Sequence, residues 1–189
     1  MSGTTALTIP RHPGLAARDV AEGAQYLTFS LVGEGYGVDI LKVQEIRGWA
    51  PVTKMPNAPA FVRGVMNLRG AIVPVIDLRL RFGLDAVEYT KTTVVIVVTV
   101  QASSGNRIIG IVVDGVSDVL NIEAADVQPA PDFGTAVHID FISGLVATEA
   151  GMVMLLDADR LLSVEEIFAL EAAQRPNAHR KQPEVELEH

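Results

Sequence analysis

The chain contains no cysteine, which excludes disulfide frameworks, thiol catalysis and the common structural zinc sites. Aromatic residues are scarce at 5%, with one tryptophan, too few for the stacking platforms that single-strand nucleic-acid binders need. Basic residues are outnumbered 15 to 23, for a formal net charge of −8. That balance counts against a general binder of nucleic acid or acidic lipid. Long hydrophobic runs are missing too. The most apolar β-branched stretch, Val94 to Val98 continued through Thr99 to Val100, falls far short of the ~20 residues a spanning helix requires. Residues 1–23 lack the apolar core of a secretory signal. A cytoplasmic protein without direct membrane insertion is expected.

What is present is β-branched aliphatic material. Valine occurs 25 times and isoleucine 13 times in 189 residues, and hydrophobic residues reach 49%. A core of that kind favours sheet over helix bundle, and the length fits one domain or two small ones. The ends read as tails: residues 1–23 are punctuated by Pro10, Pro13 and several glycines, and residues 175–189 are polar and broken by Pro176 and Pro183. The final Leu187-Glu188-His189 resembles the start of a histidine tag. The folded part is expected over 24–174. Period-2 patterns and short apolar runs predict strands over 26–32, 36–41, 64–68 and 71–76, then over 92–100, 107–113, 116–120, 142–147 and 152–156. Asp114-Gly115 reads as a two-residue hairpin turn. Ser163 with Glu166 forms a capping box that predicts a C-terminal helix over 163–173.

The two halves look like copies. Tyr36-Gly37-Val38 maps onto Ile109-Gly110-Ile111, and Val43-Gln44-Glu45-Ile46 maps onto Val116-Ser117-Asp118-Val119 at the same spacing. Farther on, Phe61, Gly64, Val73 and Asp77 match Phe141, Gly144, Val153 and Asp157 at a second constant spacing. The change of spacing falls in the stretch around Pro129, Pro131 and Gly134, where a longer loop costs little. Two copies of five short strands predict an all-β protein of two small barrels, over about 24–83 and 90–158. Neither barrel alone would bury much surface, so a shared apolar interface between them is expected, with a partner groove at the seam.

Little here suggests catalysis. Gly33-Glu34-Gly35-Tyr36-Gly37 superficially resembles a nucleotide-binding glycine loop, but no Gly-Lys-Ser/Thr is present and a strand follows it instead of a helix N-terminus. His138 and Asp140 are the one His–carboxylate pair outside the tails. A metal site usually takes three or four ligands, so a small metal-dependent hydrolase on these two residues is a weak alternative. Residues 61–83 hold four arginines against one aspartate, a local reversal of charge that suits protein docking.

One segment carries a resemblance: Phe61-Val-Arg-Gly-Val-Met-Asn-Leu-Arg-Gly-Ala-Ile-Val-Pro-Val-Ile-Asp-Leu-Arg79. Together with Tyr36–Arg47 and Val112–Val119, it is similar to the bacterial chemotaxis coupling proteins, the CheW-like family, from about Gln25 to Ala173. The resemblance implies two five-stranded, SH3-like barrels on a shared core, no catalytic activity and no cofactor. It implies an adaptor that couples the cytoplasmic hairpin tip of methyl-accepting chemoreceptors to the regulatory domain of a CheA-type histidine kinase. Such an adaptor is recruited to membrane-bound receptor arrays, and other copies of the coupling protein are further possible partners. A regulatory domain of another receptor–kinase pathway is the nearest alternative. Carried over position by position, Ile40, Val43, Glu45 and Arg69 are receptor-side candidates, and Val112 is a kinase-side candidate. Glu45 and Arg69 are of opposite charge and are expected either to pair or to meet a receptor polar group. In the second half Asp118 keeps an acid where Glu45 maps, whereas Glu149 stands where Arg69 maps.

Overall fold

The structure, a computed structural model, describes residues 23–85, 88–102, 105–131, 140–162 and Glu166. Ten strands make up its regular framework: β1 (Ala24–Leu31), β2 (Glu34–Asp39), β3 (Val43–Gly48), β4 (Val62–Leu68), β5 (Ala71–Asp77), β6 (Val94–Ala102), β7 (Gly105–Val113), β8 (Gly115–Ile122), β9 (Ile142–Thr148) and β10 (Gly151–Leu156). A one-turn helix, α1 (Leu78–Arg81), follows β5, and 3-10 turns occupy Ile40–Lys42, Ala124–Asp126 and Ala158–Arg160. No helix among the described residues is long and apolar enough to cross a membrane. The expected C-terminal helix over 163–173 lies outside the described residues apart from Glu166, as do most of both tails.

The strands form two five-stranded sheets, ordered β8-β1-β2-β10-β9 and β3-β6-β7-β5-β4. Replacing each strand by its duplicate (β1 by β6, β2 by β7, and so on) turns the first order into the second. The internal repeat is therefore structural. Its two units are nevertheless interleaved: each sheet takes two strands from one half of the chain and three from the other. The expected division into a barrel over 24–83 and another over 90–158 gives way to this exchange. The reason lies in the two crossing points. Between β2 and β3, the Asp39 carboxylate accepts the Leu41 amide at 2.8 Å and caps a 3-10 turn, so the chain advances to the other sheet without reversing. Between β7 and β8 only Asp114 intervenes, fewer residues than a two-residue hairpin needs. Asp114-Gly115 is thus a crossing between sheets and forms no hairpin.

True two-residue hairpin tips occur at Val32-Gly33 and Arg69-Gly70, with positive φ at both central positions of each. That is the signature of a primed turn, whose twist matches the flanking strands. Strand β3 was not expected from its pattern. It is a largely exposed edge strand, paired only with β6.

Alternation along the inner strands serves two cores at once. On β6, Ile96, Val98 and Val100 join Leu27, Phe29, Leu31, Val38, Ile109, Ile111 and Leu156 in one cluster that draws on both sheets. Val95 and Val97 point the other way, into small clusters with Val75 and Val112 and with Leu68 and Val73. The other sheet has its own cluster of Tyr26, Ile122, Val127, Val146, Val153 and Leu155. Burial on both faces explains why β6 reads as a continuous apolar run. Gly64 and Gly144 are matched devices of close approach. A Cβ on the first would collide with the Thr53 carbonyl, and one on the second with the Val127 side chain.

A buried polar network locks the β7–β8 crossing. The Arg79 guanidinium donates from Nε to Asp77 Oδ1 at 3.0 Å and from Nη2 to Asp77 Oδ2 at 2.9 Å. Its Nη1 donates to Asp114 Oδ1 at 3.1 Å. The second oxygen of Asp114 accepts the Val32 amide at 2.7 Å. Tyr89 donates its hydroxyl to Asp77 Oδ2 at 2.9 Å, and its ring lies under the Arg79 guanidinium at 5.1 Å. The hydrogen bond to Asp77 is the main cause that raises the Arg79 pKa, with burial opposing it. Burial, followed by the neighbouring Asp77 charge, pushes the Tyr89 phenol up to about 12.

At the duplicate position Asp157 pairs with Arg160, but both side chains are over a third exposed. Asp77→Ala strands a buried guanidinium and is expected to cost about 3–5 kcal/mol in denaturant unfolding. Asp157→Ala loses chiefly a cap and is expected to cost about 1 kcal/mol. Because the folded Tyr89 pKa lies above the unfolded value of 10.0, the native state holds its proton longer. Stability is then complete below pH ~10 and falls as pH rises toward ~12. Tyr26 and Tyr36 are raised too, both mainly by burial, so Tyr89→Phe should flatten this alkaline loss in pH-dependent melts without abolishing it.

Candidate functional site

The receptor-side candidates gather around the β2–β3 crossing and the β4–β5 hairpin. Ile40 and Val43 are half-buried, and both pack against the two-sheet core. Between them Leu41 is 88% exposed. The turn that presents it is held firmly. Asp39 caps it from one side, and Lys42 Nζ donates to both carboxylate oxygens of Asp159 at 2.9 and 2.7 Å. Asp159 also accepts the Gln101 amide, which ties the crossing to β6. Leu41 was not singled out from the sequence. The available signal was two consecutive apolar residues after a capping aspartate, since a one-turn segment cannot bury both sides.

Glu45 and Arg69 do pair. Arg69 Nη2 donates to Glu45 Oε2 at 2.6 Å, and Arg47 Nε lies 3.8 Å from Glu45 Oε1. Strand β3 is one end of its sheet and β4 the other, so this bond joins the two edges across the seam. Arg69 itself is exposed, and its backbone sits at φ +51°. Its hairpin tip is shaped by Asn67, whose Oδ1 accepts the Gly70 amide at 2.8 Å. An L-residue in the left-handed region costs roughly 1–2 kcal/mol, and Asn or Gly would fill this turn more easily. The tip therefore carries an arginine at some cost to local stability.

Val112 does not belong to any exposed face. It is fully buried with Val75 and Val95 beneath Trp49, Val52, Met66 and Tyr89. The expected kinase-side contact is corrected on this ground: inward alternation on β7 puts the side chain in the core of its sheet. His138 lies outside the described residues. The Asp140 backbone carbonyl accepts from Arg160 Nη1 at 3.2 Å. Among the described residues no three His, Asp or Glu side chains gather as a metal centre requires. A surface pocket of about 390 Å³ opens between β8 and β9 and is lined by Leu120, Ile122, Asp126, Gln128, Val146 and Thr148, among others.

Two fused sheets thus present a pinned apolar turn and a charged hairpin tip. The CheW-like domain family matches residues 25–166. The chain is 50% identical over 145 residues to the chemotaxis protein CheW of Klebsiella aerogenes, covering 77% of this chain and 85% of that one. It is 41% identical over 152 residues to the CheW of Rhizobium meliloti, covering 80% and 96%. Among solved structures, the scaffolding protein TtCheW of Thermoanaerobacter tengcongensis superposes with a TM-score of 0.67 at 33% identity, over 76% of this chain and 95% of that one. The chain belongs to the CheW-like domain family.

The turn geometry makes a stability expectation. Arg69→Gly relieves the left-handed strain while losing an exposed ion pair worth under about 1 kcal/mol. Its melting temperature should be no lower than that of the parent chain. Arg69→Val, β-branched at the same φ, should melt lower.

Proposed function

We propose that the chain is a non-enzymatic chemotaxis adaptor that couples chemoreceptors to a CheA-type histidine kinase. The family match across nearly the whole folded part carries this reading, and the scaffolding role of the structural relative supports it. On this reading Ile40 and Val43 offer an apolar floor to the helical hairpin of a receptor tip, in the helix-in-groove manner. Exposed Leu41 adds an anchor beside them. Arg69, bonded to Glu45, holds the rim and can turn its remaining guanidinium donors toward a receptor polar group. Each contact is small, so single affinities near micromolar are expected (about −8 kcal/mol), and avidity at the membrane array supplies the rest.

Sedimentation of the purified chain with a receptor cytoplasmic fragment and the kinase, singly and together, tests the reading. Joint pelleting of all three supports it, and failure of the chain to pellet with either partner refutes it. Arg69→Glu should weaken the joint assembly about tenfold (about 1.4 kcal/mol) and leave thermal unfolding nearly unchanged. Adding Glu45→Arg to that variant rebuilds the pair in reverse. Recovery would assign the pair to groove shape, whereas continued loss would assign Arg69 to direct receptor contact.

A further inference from the structure

Each sheet has a seam where its two end strands approach each other, and the internal repeat allows the seams to be compared position by position. At the β3–β4 seam, Trp49 and Met66 pack on the Val75–Val95–Val112 cluster, with Trp49 against Tyr89 at 4.1 Å between ring centres. The Glu45–Arg69 bond bridges the same strands. The spacings of the repeat put Ile122 where Trp49 stands and Val146 where Met66 stands, and they replace the bonded pair by Asp118 and Glu149, which are of like charge. Two bulky side chains exchanged for smaller ones leave space unless the surroundings collapse. Tyr26 takes the place of Val95 in the cluster beneath, but it does not line the opening. The pocket of about 390 Å³ between β8 and β9 occupies this place, with Ile122 and Val146 in its wall.

What covers the pocket is indicated by where the chain arrives. The described residues begin at Gly23, and Ala24 pairs with Ile122, so residues 1–22 reach the fold beside the pocket wall. Among them, Leu7-Thr8-Ile9 alternates apolar and polar residues, as an extended segment with one buried face requires. Charge agrees with this placement. Acids outnumber bases 23 to 15 in the whole chain, yet residues 1–18 hold Arg11 and Arg18 and no acid. Asp126 lines the pocket, Glu123 caps the turn that carries it, and both are exposed.

We propose that the pocket is the docking site of the chain's own residues 6–11, laid along β8 as an added strand. Leu7 and Ile9 turn into the pocket, and Arg11 lies opposite Asp126. Strand β8 pairs only with β1 among the described residues, which leaves its outer edge to accept main-chain bonds. Asn121, Gln128 and Thr148 in the lining add polar partners beside the apolar anchors. An open edge strand invites pairing with other chains, and the docked segment caps this one, as the Glu45–Arg69 bond guards β3. From Ile9 to Gly23 an extended chain can reach up to roughly 46 Å, so the tether does not limit docking. It sets an effective concentration of order millimolar, and a contact of similar Kd then fills the pocket about half of the time. The contact needs neither receptor nor kinase, so it stands or falls independently of the adaptor reading.

The absence of cysteine makes the test direct, because Thr8→Cys takes a single nitroxide label in the full chain. With the label oxidised, the amide signals of Leu120, Asn121, Ala147 and Thr148 should lose about half of their intensity relative to the reduced label. Those of Asn67 and Leu68, at the other seam, should keep theirs. Adding Ile9→Glu should restore full intensity. Arg11→Glu should weaken docking about threefold, and Asp126→Arg added to it should recover the parent effect, which separates a lost contact from a disturbed fold. Mixing nitroxide-bearing chain with isotope-enriched chain that bears no nitroxide should leave every signal intact. A label without effect in the parent, an equal effect at both seams, persistence with Ile9→Glu, or no recovery on charge reversal would each overturn the proposal. So would attenuation in the mixed sample, which would make the occupant the segment of another copy.

Discussion

The constraint on which everything else rests is the exchange of strands between two duplicate units. Strands β1 and β2 complete the sheet of β8–β10, while β6 and β7 complete that of β3–β5. Neither half of the chain contains a finished sheet. The consequence is energetic as well as topological, because the largest apolar cluster is assembled from both sheets and both halves. Small β units of this size are marginal alone, and interleaving makes their stabilities one quantity. The Asp77–Arg79–Asp114 network sits where this matters, joining the end of β5 to the β7–β8 crossing and, through the Val32 amide, to the β1–β2 tip. A guanidinium held by two carboxylates in the interior is costly to desolvate. Its role here is to hold the two sheets in register, since the three segments that the network joins, the end of β5, the β7–β8 crossing and the β1–β2 tip, do not belong to one sheet.

A single rigid body is what a bridging scaffold requires. Surfaces on two sheets keep a fixed relation only if the sheets cannot move independently, and the shared core enforces that relation. Against this stable background, two local departures from good turn chemistry stand out. Val32 and Arg69 both occupy left-handed backbone at exposed hairpin tips, at a cost of order 1–3 kcal/mol each. Arg69 is also the residue that joins the two edges of its sheet through Glu45. Places where a chain breaks a local rule while keeping the global fold are where contact surfaces are expected. No physical reason for valine at position 32 is visible beyond the bond its amide makes.

Much of this was legible in the residues. All nine expected strands fall within two residues of where the period-2 runs placed them, although the end of the one expected over 36–41, Ile40-Leu41, lies in a 3-10 turn. The Phe61–Phe141 and Asp77–Asp157 matches foretold a repeat whose members make the same backbone bond, Asp77 to the Phe61 carbonyl and Asp157 to that of Phe141. The strand exchange was not legible, because pairing partners far apart in sequence leave no periodic trace. Asp114-Gly115 misled for a definite reason: it has turn composition, but the Asp114 carboxylate is taken by Arg79 and Val32. Val112 and Val43 are indistinguishable as letters, and only the register of β7 and β3 shows one buried and the other half-open. The Glu45–Arg69 pair was legible through charge and resemblance, whereas Leu41 needed the 3-10 turn to be seen.

The central claim, that the exchanged sheets unfold as one unit, is tested most directly by following one melt with two probes. Trp49, the one tryptophan, packs beside the Val75–Val95–Val112 cluster of a single sheet, while calorimetry reports on the whole chain. Coincident midpoints, with calorimetric and van't Hoff enthalpies equal, are the expected result. A Trp49 transition separated from a second calorimetric peak would contradict it, because the two sheets would then be independent bodies.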